Sequence, residues 1–97
     1  MATWFVSRHP GALAWARENG LDTDHRVDHL DLGQVASGDR VYGSLPINLA
    51  ADVCARGARY FHLSLAVPRE LRGQELDAEQ LRRLDARLEE YRVVRIS

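Results

Sequence analysis

Twice along this chain a short run of β-forming residues ends in a serine, and a proline then opens a stretch of helix formers. Residues 3–7 read Thr-Trp-Phe-Val-Ser and lead into Arg8-His9-Pro10-Gly11. Residues 40–44 read Arg-Val-Tyr-Gly-Ser and lead into Leu45-Pro46-Ile47-Asn48. Proline is accommodated in the first turn of a helix, where its missing N–H forfeits no hydrogen bond. Strand, tight loop and helix in succession is the unit from which parallel sheets are built.

The rest of the chain keeps this rhythm. Residues 12–19 are rich in helix formers and end at Gly20, a natural stop. Residues 26–30 read as a second strand, and Ser37-Gly38-Asp39 as a turn. A second helix is expected over residues 46–56, closed by Gly57, with Ile47, Ala50, Ala51 and Cys54 as its apolar stripe. Residues 59–65 carry the clearest strand pattern: Phe61, Leu63 and Leu65 alternate with Tyr60, His62 and Ser64. Asp77-Ala78-Glu79-Gln80 is a capping box. It is expected to open a third helix with Leu81, Leu84, Leu88 and Tyr91 on one face, followed by a last strand over residues 92–96. The order β-α-β-β-α-β-α-β predicts an α/β fold: a single small Rossmann-like three-layer domain with a mainly parallel sheet.

A chain of 97 residues and net charge −1 narrows the functions open to this fold. Its length suits one domain, residues 1–97. Thirteen basic against fourteen acidic side chains leave no broad basic surface, so long nucleic acid is not an expected partner. No apolar run is long enough for a membrane span, no secretory signal is evident at the N-terminus, and the lone Cys54 cannot form an intrachain disulfide. The expected compartment is the cytoplasm. All thirteen basic residues are arginine, which removes P-loop lysines, lysine Schiff bases and serine–lysine dyads. One cysteine also excludes multi-cysteine zinc sites and iron–sulfur clusters. His25 and His29 fall on loop and strand, where their spacing does not converge on a metal. No metal and no cofactor are therefore expected; if a divalent cation were needed, Asp28, His29 and Asp31 would be the candidates.

Ligands of open α/β sheets bind beyond the carboxyl ends of the strands. If the first and third strands run parallel, both serine–proline loops lie on that edge, each leading to a helix N-terminus suited to a phosphate oxygen. Arg8 adds a planar fork that matches phosphate bidentately, and His9 adds a group that exchanges a proton near neutral pH. Ser7, Arg8 and His9 are the candidate catalytic residues, and Gly11, Ser44, Leu45, Pro46 and Asn48 the candidate ligand contacts. A plainer reading stands beside this one: Ser7 and Ser44 cap helices, Arg8 pairs with a surface carboxylate, and the prolines set helix angles. His62, Tyr60 and Ser64 have the same two readings, as sheet residues or as lining of the site. Trp4 and Trp15 belong to the core; Arg82-Arg83 and Glu89-Glu90 read as solvated helix surface.

Residues 4–12, 43–51 and 54–63 together resemble a small CRISPR-associated family of the Csx type, which accompanies type III interference systems. The resemblance extends over nearly the whole chain. It implies a CARF-like domain, similar to the sensors of cyclic oligoadenylate. It further implies a homodimeric ring nuclease that opens cyclic tetra-adenylate and switches off the antiviral signal. Ser44 departs from the family, where threonine is expected; either hydroxyl serves. Ring opening by the ribose 2′-hydroxyl needs no metal, given alignment and charge stabilisation. Three other functions fit the same residues: a non-catalytic cyclic-oligoadenylate binder acting as sensor or sponge, a histidine-phosphatase-like enzyme built on Arg8-His9, and an adaptor for other CRISPR proteins.

Overall fold

Phe5 has no exposed surface, and Trp4 and Val6 on either side of it are also buried. A strand covered on both faces needs a layer on each side, and the computed structural model supplies them. It describes residues 1–7, 10–66, 68–74 and 76–97. The strands are β1 (Thr3–Val6), β2 (His25–Val27), β3 (Arg40–Gly43), β4 (Arg59–Ser64) and β5 (Arg87–Tyr91). They form one sheet in the order β2-β1-β3-β4-β5, in which β4 and β5 pair antiparallel and all other neighbours pair parallel. The helices are α1 (Pro10–Glu18), α2 (Ile47–Ala55) and α3 (Ala78–Arg83).

The side-chain alternation of the strands assigns the layers. Phe5, Tyr42 and Leu63 point to one face and pack with Ala12, Trp15 and Ala16 of α1 and Leu81 of α3. Trp4, Val6, Val41 and Tyr60 point to the other and pack with Ala50 and Val53 of α2. The small Rossmann-like α/β domain expected from the alternation of elements is therefore what forms. Gly11 lets α1 meet α3 closely: a Cβ there would overlap the Asp77 backbone, and its N–H donates to the Leu76 carbonyl at 3.1 Å. The ion pair Arg82–Glu18 joins the same two helices.

At the amino edge of the sheet Asp39 is only 4% exposed. Its carboxylate accepts from the N–H of Ala2 at 2.9 Å, the N–H of Ala36 at 3.0 Å and the Trp4 indole N–H at 3.1 Å. The amides of Ala36 and Ala2 and the indole hold this carboxyl below its ordinary pKa, against the opposing effect of burial.

Four expectations about the elements are corrected. The third helix does not run on to Tyr91. It keeps its capping box, Asp77 accepting from the Gln80 N–H, but ends at Arg83; Asp85 then adopts φ +56° and the chain turns into β5. The last strand is therefore Arg87–Tyr91 and not residues 92–96, and Glu89 and Glu90 lie on a strand rather than a helix surface. Pairing with β4 outweighs the helix propensity of Arg, Leu and Glu because it satisfies the backbone groups along the open side of that strand. The second strand is His25–Val27, shorter and earlier than residues 26–30, with the His25 ring stacked on Trp4 at 4.3 Å. On α2 the buried stripe includes Val53, while Ile47 is 75% exposed and Cys54 only half-buried.

Candidate ligand site at the carboxyl edge of the sheet

The chain leaves β1 toward β2 on one side, and later strands add beyond β3 on the other, so the strand order reverses between β1 and β3. Such a switch point opens a crevice beyond the carboxyl ends of the two strands, flanked by the loops that leave them. Val6 and Gly43 are partners in the parallel register, so Ser7 and Ser44 follow side by side at this edge. The two strand–serine–proline loops thus begin side by side at this edge. Gly43 permits the approach of the strands: its φ is +147°, and a Cβ there would overlap the Val6 carbonyl oxygen.

Each loop is tied down by its neighbours. The Ser7 N–H donates to the Val27 carbonyl at 3.1 Å, and the Ser7 carbonyl accepts from Arg26 at 3.2 Å. Arg26 also pairs with Asp28 at 2.9 Å, so a guanidinium stands beside the end of β1. Spacing alone did not single it out, because β2 is short and mostly exposed. Ser44 does not cap α2. Its hydroxyl donates to the Leu63 carbonyl at 3.2 Å and fastens the loop to β4. Leu45 is buried and its N–H donates to the Tyr60 hydroxyl at 2.9 Å.

Pro46 occupies the N-cap of α2 and offers no side-chain cap. The N–H groups of Ile47, Asn48 and Leu49 in the first turn are left without a partner among the described residues, and Asn48 is exposed beside them. These donors, with the positive end of the α2 dipole, are what an anion would meet here. Gly11 and Leu45 have spent their amide protons on Leu76 and Tyr60, so neither N–H is left for a ligand, and Gly11 packs against the start of α3. Arg8 and His9 lie outside the described residues, in the connection between Ser7 and Pro10.

Beside this loop β4 contributes a polar pair. Tyr60 is 2% exposed, and its hydroxyl lies 2.6 Å from the His62 Nδ1 and 3.2 Å from the Gly43 carbonyl oxygen. Burial raises the pKa of this phenol. Ser64 lies on the same face, where its hydroxyl bonds Glu89 of β5. The spacing of residues 60, 62 and 64 already put them on one face; the fold adds that this face adjoins the crevice at Leu45. A depression of about 200 Å³ lies beyond the end of β4, lined by Ser64, Leu65, Ala66, Leu84, Asp85 and Arg87. It is smaller than the usual pocket for a drug-sized ligand, roughly 300–1,000 Å³. The switch point, with its two loops and helix terminus, is the better-equipped site. Among the described residues no three His, Cys, Asp or Glu side chains are grouped to hold a metal ion, and no helix is long and apolar enough to cross a membrane.

The fold is a small three-layer α/β domain in which the chain leaves β1 and β3 side by side at the switch point of the sheet, next to the unpaired first-turn N–H groups of α2. The chain belongs to the family described as "Putative CRISPR-associated protein (Cas_VVA1548)", whose model matches residues 4–94. The resemblance to CRISPR-associated proteins thus holds. No curated protein and no solved structure matches the chain.

Proposed function

We propose that this chain is a ring nuclease, which binds cyclic tetra-adenylate and linearises it to end type III CRISPR antiviral signalling. The observation that carries the reading is the pairing of Val6 with Gly43, which sets the Ser7 and Ser44 loops side by side at the switch point. A cyclic oligonucleotide presents a ring of phosphodiesters, and adjacent anion-suited loops match that repeat. Membership of a CRISPR-associated family gives such a ligand a biological setting.

The chemistry asks little of the protein beyond alignment and charge. A ribose 2′-oxygen attacks the adjacent phosphorus in line as the bond to the 5′-oxygen breaks. The products are a 2′,3′-cyclic phosphate and a 5′-hydroxyl. Arg8 binds the phosphate and stabilises its charge, together with the first-turn N–H groups of α2. His9 carries a proton at the reacting centre, an effect typically worth about 10²–10⁴-fold. Ser7 and Ser44 line the crevice that aligns the ribose, and Asn48 contacts a phosphate or a base edge. The ring carries about four negative charges, one for each phosphate. A two-fold homodimer with two crevices facing a shared cleft doubles the cations and matches the symmetry of the ligand.

The test is chromatography after incubation with cyclic tri-, tetra- and hexa-adenylate in the presence of a chelator. Linear products ending in 2′,3′-cyclic phosphate, formed from the tetra-adenylate ring, are the expected result. A ring that is retained by the protein but never opened identifies a binding module instead. A ring that is neither bound nor opened overturns the reading.

A further inference from the structure

The depression of about 200 Å³ beyond the end of β4 has room for one flat heterocycle rather than a whole ligand. It lies at the carboxyl edge of the parallel strands, the edge from which the Ser7 and Ser44 loops leave. The Ser44 hydroxyl is bonded to the Leu63 carbonyl at 3.2 Å, and the next residue, Ser64, is already on the rim of the depression. Neighbouring strands lie about 4.8 Å apart, so β3 and β5 are separated by about 10 Å. A nucleotide whose phosphate sits at the Ser44 loop reaches the depression with its base.

Charge keeps a phosphate out of this end. Arg87 on the rim is held between Asp85 at 3.1 Å and Glu89 at 3.4 Å. Two carboxylates around one guanidinium repel an anion and favour a neutral group that donates hydrogen bonds. A carboxylate can only accept, and the Asp85 side chain is 87% exposed, so it keeps lone pairs beyond the one facing Arg87. Leu65, Ala66 and Leu84 supply apolar wall, and both leucines are rooted in the core on the α1 and α3 side of the sheet. Leu65 follows directly on β4, and neither its N–H nor its carbonyl is bonded among the described residues. The wall therefore carries an open donor and an open acceptor as well as apolar surface.

An aromatic base with an exocyclic amine answers each of these groups. Its faces are apolar and meet the leucines. Its amine donates to the Asp85 carboxylate, and a ring nitrogen accepts from the Leu65 N–H. A purely aliphatic occupant would leave the Leu65 donor and acceptor unpaired, which costs free energy once water is displaced. The fold does not call for the carboxylate either. Asp85 has φ +56°, a conformation that glycine adopts at less cost than a residue with a side chain.

We infer that this depression is a base subsite, which receives one adenine of the cyclic ring through Asp85 and Leu65. The inference rests on the ring-nuclease reading for the identity of the ligand, and adds where one of its bases goes and what selects it.

The experiment uses Asp85→Gly, which removes the carboxylate where glycine suits the backbone and is expected to melt no lower than the wild type. Binding of cyclic tetra-adenylate is measured for both proteins, and the variant is expected to bind about tenfold more weakly. Methyl and amide NMR of the wild type is followed during titration with the same ring, with adenosine 5′-monophosphate, and with the 5′-monophosphate of purine riboside, which lacks the amine. The ring and adenosine monophosphate are expected to shift the Leu65 and Leu84 signals, and the amine-free nucleotide to do so only at several-fold higher concentration. A wild type that binds the ring while these signals stay in place overturns this inference alone. So does a ring bound equally well by Asp85→Gly. A ring that is not bound, with adenosine monophosphate still moving the same signals, overturns the ring-nuclease reading and upholds the base subsite. No binding and no shift with any of the three ligands overturns both.

Discussion

Gly43 and Val6 are register partners across β3 and β1, and a Cβ on Gly43 would overlap the Val6 carbonyl oxygen. Its φ of +147° is also one that L side chains rarely adopt. Gly43→Ala is therefore expected to cost about 1–3 kcal/mol of stability. Thermal melting should read this as a midpoint lower by roughly 5–20 °C. Because the strained residue immediately precedes Ser44, the same change is expected to weaken ring binding. An alanine variant that melts like the wild type would show that β1 and β3 have room to separate.

Asp39 ties the amino edge of the sheet through the Ala36 and Ala2 amides and the Trp4 indole. These donors lower its folded-state pKa, so below about pH 4 the unfolded chain binds more protons than the folded one. The stabilisation is present above the unfolded pKa and is lost as pH falls through the folded value. Asp39→Asn should melt roughly 5–15 °C lower at pH 7, and the gap should narrow as pH falls toward 2. A gap that stays constant with pH would remove Asp39 from the acid response.

The two adjacent residues of the first loop are expected to separate binding from chemistry. Arg8→Ala should weaken binding of cyclic tetra-adenylate and flatten its salt dependence, since fewer ion contacts are displaced. It should slow cleavage as well, because a contact to the ground-state phosphate persists in the transition state. His9→Ala should bind within a few-fold of wild type and cleave about 10²-fold more slowly in a single turnover. A His9→Ala protein with an unchanged rate and pH profile would take this side chain out of the reaction.

Light scattering is expected to find a dimer at micromolar concentration, retained or strengthened when the cyclic tetra-adenylate ring is present. A monomer under both conditions would require one chain to hold the ring alone.

The elements that position the site were legible because their signals are local. Trp4, Phe5 and Val6 in succession mark a strand buried on both faces, and residues 60–65 alternate cleanly. The end of α3 was not legible. Leu81, Leu84 and Leu88 are spaced as on one helical face, yet Leu88 reaches the same core from a strand. That choice depends on a distant partner, β4, and on Asp85 accepting a left-handed turn without a glycine to announce it. At the site, the serine–proline loops could be read from the chain, but their bonds could not. Ser44 has two readings in the sequence, helix cap or ligand contact, and neither announces that its hydroxyl tethers the loop to Leu63. Leu45 and Tyr60 are far apart in sequence, so only the fold reveals that one amide proton anchors the phenol beside His62.

Asp39 and its three donors sit at one end of the strands, while Ser7, Ser44 and the first turn of α2 sit at the other. The Asp39 brace and the proposed ligand contacts thus lie at opposite ends of the strands, and Gly43 is the point where fold and proposed site meet. Exposed positions in the first turn of α2, such as Ile47 and Asn48, can be exchanged without unfastening the Asp39 brace. On the proposed reading, a library confined to those positions is expected to alter ring-size preference while the framework still folds, and the brace can be reinforced without touching them.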